Sequence, residues 1–149
     1  TVVQRHPDDK HAQFCAESAV LAAEMLAKAD PKNVSETWLL RFSESVDGYS
    51  ERWPDDPKSV ILEYRAAYLL AQHNNIREAQ EHFDRVIALA PESNEATLAG
   101  ELILDMLIAS EDWAAIAVRA QSWLDAGWPD EELRSRLEEV LAESAEHVP

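Results

Sequence analysis

His11 and Cys15 stand four residues apart, one helical turn, with Asp8 and Asp9 just upstream. Imidazole and thiolate are both good metal ligands. A tetrahedral centre needs further ligands, and none follows at a familiar spacing. The pattern therefore reads as a packed cysteine beside a surface histidine, and no metal is expected. The acid pairs Asp8-Asp9 and Asp55-Asp56 could hold Mg²⁺, but each follows a proline and precedes a helical pattern. Acids there favour the positive end of a helix, which explains them more simply. Cys15 lies in no motif of a catalytic thiol; a helix N-terminus or a cation would have to lower its pKa. Gly48, Gly100 and Gly127 are too scattered to form a phosphate-cradling loop. The other histidines are His6, His73, His82 and His147. No catalytic residue and no cofactor are expected.

Something must position whatever the chain does present, and composition bounds that framework. The 149 residues suit one domain, with 46% hydrophobic and 28% charged residues. Three glycines and many alanines favour helix. Asp and Glu number 29 against 13 Lys and Arg, a formal net charge of -16. Such a surface repels phosphate backbones and anionic lipid, and it steers basic partners in. The same charge also serves solubility alone. One cysteine excludes an internal disulfide and a multi-thiolate site, and leaves the compartment open. No segment has the ~20 uncharged apolar residues of a membrane span. Glu17, Glu24 and Lys28 break the first apolar run, so it is no signal peptide either.

Prolines punctuate the chain. His6-Pro7-Asp8-Asp9, Trp53-Pro54-Asp55-Asp56, Ala90-Pro91-Glu92 and Trp128-Pro129-Asp130-Glu131 each place proline, then acid, before a helical pattern. Seven helices are predicted, at about 9–29, 36–52, 57–73, 76–89, 94–109, 113–125 and 129–145, with no strand. Ser35 caps the second. Asp56 with Pro57 caps the third, and Asn75 with Glu78 has capping-box spacing. The third and fifth helices are apolar nearly all round. The first is broad too, through Phe14, Ala19, Val20, Leu21, Met25 and Leu26, with a polar stripe at Gln13, Glu17, Glu24 and Lys28. The second, fourth and sixth are one-sided. Such alternation suits stacked hairpins whose first helices are sandwiched and whose second helices lie outside. The seventh helix has one apolar stripe, Leu133, Leu137, Val140 and Leu141, as a terminal cap requires. Val2 and Val3 look like the tail of a preceding helix, so the array is expected to continue upstream.

Pro57 and Pro91 are 34 residues apart, and between them Ala67, Leu70, Ala79, Phe83 and Val86, with Pro91 itself, stand at signature positions. This window resembles one tetratricopeptide repeat. It departs at Glu63, where the family usually has Trp, and at Ala66, where Leu is usual. Asn74-Asn75 replaces the usual turn glycine. The flanking hairpins match only through Leu104, Ala117 and Pro129, or through Ala19 and Pro31. The resemblance implies an all-α, right-handed superhelix of three hairpins plus a C-terminal capping helix, one domain over 1–149. An unrelated helical bundle is the alternative.

The resemblance also implies a concave surface lined by the first helices of the hairpins. On it Tyr64, Arg65, Tyr68 and Gln72 would face a peptide, followed by Glu95, Leu98, Leu102 and Asp105. Tyr64 and Tyr68 are one helical turn apart, which also suits two core residues. Arg65 is expected to reach water. Members that clamp a terminal carboxylate use several cations there; here Arg65 stands nearly alone among acids. Trp53 and Trp128 are expected to plug hairpin corners, and Trp113 and Trp123 to lie on the apolar face of the sixth helix. The expected function is a non-catalytic scaffold binding a protein or peptide with basic patches. An accessory domain positioning a catalytic partner and a self-associating scaffold, homo-oligomer included, are the alternatives. Nucleic-acid binding and membrane insertion are not expected.

Overall fold

A computed structural model describes residues 10–128 and 130–148. Among them the chain forms seven helices: α1 Lys10–Ala27, α2 Glu36–Arg52, α3 Pro57–Gln72, α4 Ile76–Leu89, α5 Asn94–Ser110, α6 Trp113–Asp125 and α7 Glu131–His147. The ends follow local chemistry. Ser35, Asp56, Ser93, Asp112 and Asp130 each accept a backbone N–H with the side chain, satisfying a donor that the helix leaves open. Asn75 makes no such bond, so the predicted capping box does not form there. Asn74 does take the left-handed turn conformation, φ 62°, that its place between α3 and α4 requires. No described helix is long and apolar enough to cross a membrane.

Each helix packs mainly on its chain neighbours. The α3–α4 pair is the closest, because Ala66, Ala67 and Ala79 are fully buried and let the backbones approach. Phe83, Leu70 and Val86 complete that core. Contacts between the first two hairpins keep a constant register. Lys58 Nζ donates to Glu17 Oε2 at 2.7 Å, and Arg65 bonds Glu24; both pairs are 41 residues apart in the chain. Helix α1 therefore runs parallel to α3. Helix α2 likewise runs parallel to α4, through Ser43 with His82 and Asp47 with Arg85.

Two expectations fail. The third hairpin was expected to be α5–α6 with α7 as its cap, but α6 packs chiefly on α7, and α5 chiefly on α4. The inner residues of α5 include Ile103 and Leu104, bulkier than the alanines that close α3 on α4. The indole of Trp128 lies over Gly100 of α5, where a Cβ would come within 2.7 Å of its ring. Trp128 also donates to Pro91 O at 2.8 Å and meets Trp123 edge-on at 5.1 Å, so it fills a corner as predicted.

Helix α1 is turned over relative to the sequence reading. Its polar stripe faces the body: Gln13 reaches Tyr49 and Asp56, Glu17 reaches Lys58, and Glu24 is buried beside Arg65. Its large apolar side chains face out, Phe14 at 66% and Met25 at 72% exposure, with Leu21 and Leu26 also exposed. The packed face keeps Val20 of the expected apolar set and otherwise runs through Ala12, Ala23 and Ala27. The seating follows charged partners on α3, Lys58 and Arg65, which hydrophobic pattern alone does not reveal. Val2, Val3, the motif at 6–9 and Pro129 lie outside the described residues.

Candidate functional site

A buried polar cluster joins three helices. Glu63 of α3 is fully buried, and its Oε1 accepts from Ser50 of α2 at 2.5 Å. Its Oε2 lies 2.5 Å from Nδ1 of His82 on α4, also buried. That nitrogen is also 3.3 Å from Asp47 Oδ1. The other ring nitrogen lies 2.6 Å from the Ser43 hydroxyl. Arg85 donates to Asp47 at 2.8 Å. Burial pushes the Asp47 carboxyl up to about 6, against the pull of His82, while Glu63 adds to the rise.

Asp47, Glu63 and His82 bring three ligand atoms within 4.8 Å of one another, which is metal-site spacing. The same groups are already engaged by one another, by Arg85 and by two serine hydroxyls. Every buried atom of the cluster has a hydrogen-bond partner; among the described residues only Glu24 Oε2 lacks one. The cluster reads as an internal bracket of α2, α3 and α4. Sequence reasoning missed it, although Glu63 in place of an expected Trp was its signal. A carboxylate at a core position demands a buried donor, and His82 and Ser50 supply it.

The predicted groove residues lie along α3 and α5. Ile61, Tyr68 and Gln72 share one face of α3 at helical spacing, and Ile61 and Tyr68 are 47% and 48% exposed. Tyr64 is half-buried, stacked on Tyr68 at 6.4 Å and edge-on to Phe83 at 5.6 Å. It lies between surface and core, while Tyr68 is 48% exposed. Burial raises its phenol pKa, with Tyr68 and Glu95 adding to it. On α5, Leu98 is 48% exposed, Leu102 half-buried, and Asp105 paired with Arg136 of α7. Arg65 reaches water as expected, with its side chain 40% exposed, and its guanidinium also holds Glu24 of α1. That pairing removes it as a clean probe of the groove, because its loss would strip a buried carboxylate of its main partner.

The remaining candidates resolve simply. Cys15 is exposed rather than packed, 3.8 Å from His11 Nε2, and Asp8 and Asp9 lie outside the described residues. Asp56 caps α3 and accepts from Tyr49 at 2.6 Å. Trp113 stacks on His147 at 4.1 Å, and Trp123 is buried in α6. A depression of about 710 Å³ beside Gln80, Leu107 and Val118 has no aromatic lining, and its Arg119 is engaged by Asp84. No protein-family profile, curated protein or solved structure matches the chain.

Proposed function

We propose that the chain is a non-catalytic helical-repeat module that binds a protein or peptide segment along α3 and α5. The observation that carries this reading is the exposed patch of Ile61, Tyr68 and Leu98 beside half-buried Tyr64. Flat aromatic area with aliphatic neighbours suits the centre of an interface. The parallel, in-register run of α1 and α3 supports a right-handed stack in which such first helices line one surface. The net charge of -16 favours a basic partner. Panning a phage-displayed random octapeptide library tests the reading. Binders recovered on the wild type should be lost on the Tyr68→Ala/Leu98→Ala variant. Undiminished recovery on that variant refutes the reading.

The outward apolar face of α1 favours a second reading, self-association through Phe14, Leu21 and Met25. Light scattering over a range of concentrations decides it: a dimer abolished by Phe14→Ser/Met25→Gln supports it, and a monomer throughout excludes it.

A further inference from the structure

Two clefts of about 430 Å³ each open at the two ends of the exposed α3 face. The first, at the N-terminal end, is walled by Pro54, Val60, Ile61, Leu89 and Ala90, with Asp55 and Glu95 on its rim. The second, at the C-terminal end, is walled by Pro31, Val34 and Leu69, with Gln72 at its edge. Ile61 and Gln72 lie on the same side of the helix, about 16 Å apart at 1.5 Å per residue. Tyr68 lies between them, with Tyr64 stacked beside it.

The charges along this face are unequal in availability. The cations Lys58 and Arg65 are held by Glu17 and Glu24 of α1. Among the described residues, Asp55 and Glu95 have no ion-pair partner. The first cleft thus combines an apolar floor with two uncompensated carboxylates.

We infer, resting on the groove reading above, that the two clefts anchor one extended partner segment. Its first apolar side chain enters the cleft at Ile61 and Leu89, with an adjacent Lys or Arg on Asp55 and Glu95. Its second apolar side chain enters the cleft beside Gln72, against Pro31 and Val34. Extended chain advances about 3.3 Å per residue, so the two anchors stand about five residues apart. The tyrosine pair carries the backbone between them.

The octapeptide library discriminates this from the groove reading alone. On the wild type, recovered sequences should carry Lys or Arg beside an apolar residue at least threefold above library frequency. A second apolar residue should follow four to six positions away. On Asp55→Asn/Glu95→Gln the cation enrichment should vanish while the two apolar positions persist. If the wild type shows no cation enrichment, or the double variant keeps it, the inference is overturned; the groove reading stands provided that Tyr68→Ala/Leu98→Ala still abolishes recovery. If no peptide is recovered above background, or that variant recovers the same peptides, both fall.

Discussion

His82 Nδ1 lies 2.5 Å from Glu63 Oε2, with both side chains sealed from solvent at the meeting of α2, α3 and α4. A buried polar pair in that position is a poor source of net stability, but removing one partner leaves the other buried without its hydrogen bond. Glu63→Leu or His82→Leu alone should cost about 3–5 kcal/mol in urea unfolding. The double variant should cost clearly less than the sum of the two. Additive losses would show that the pair is not coupled.

Asp47, on the same bracket, gives the pH dependence its sign. Burial raises its carboxyl from 3.8 to about 6 in the folded chain. Between those values the folded state holds the proton more firmly than the unfolded state does. Asp47 therefore favours folding at low pH, and that contribution is lost as pH rises from about 4 to about 6. Asp56 works oppositely. Burial alone would raise its pKa, but hydrogen bonds from Tyr49 and the Lys58 amide outweigh this and lower it, so its contribution is lost as pH falls. Asp47→Asn should flatten the decline between pH 4 and 6 in a series of urea midpoints, because the amide still accepts from Arg85. An unchanged profile would place the titration elsewhere.

Helix α1 predicts an inverted mutational pattern. Met25→Gln, on the outward face, should change stability by no more than about 0.5 kcal/mol. Ala23→Leu, on the packed face and outside the apolar set that the pattern picks out, should cost about 1–3 kcal/mol by chemical denaturation. The opposite ranking would mean that α1 is seated as its hydrophobic pattern alone suggests.

How far the sequence reached depends on what kind of force decided each element. Prolines and caps act locally, so α2, α4 and α6 begin and end where Ser35, Pro91 and Trp113 indicated. The Ala67–Ala79 contact was legible because small residues at fixed spacing have one geometric use. The seating of α1 was not, because it depends on Lys58 and Arg65, 41 residues away from their partners. The α6–α7 pairing was missed for a similar reason: Trp128 needed the gap over Gly100, a relation no periodicity encodes. The exposure of Tyr68 followed from the register of a single repeat window and that of Leu98 from extending it to the next hairpin, whereas the contacts of Glu63 and His82 required seeing three helices at once.

Gly100 should tolerate little. An alanine there is a better helix former by about 1 kcal/mol, yet its Cβ meets the Trp128 ring at 2.7 Å and Leu133 at 3.0 Å. The ring is wedged against Trp123 and tied to Pro91, so it cannot swing aside freely. Gly100→Ala should lose about 1–3 kcal/mol net and shift tryptophan emission to longer wavelength. A stabilised variant with unchanged emission would show that the corner has slack.

The central claim is that the α3–α5 face holds the partner segment, and site-specific photo-cross-linking reads this most directly. Benzoylphenylalanine replaces either Tyr68 or the exposed Val118 of α6, and each protein is irradiated with a library-selected basic peptide. The account predicts a peptide adduct from position 68 that fades as salt screens the approach over a Debye length of about 10 Å at 0.1 M, and none from position 118. An adduct at 118 with none at 68 would contradict it.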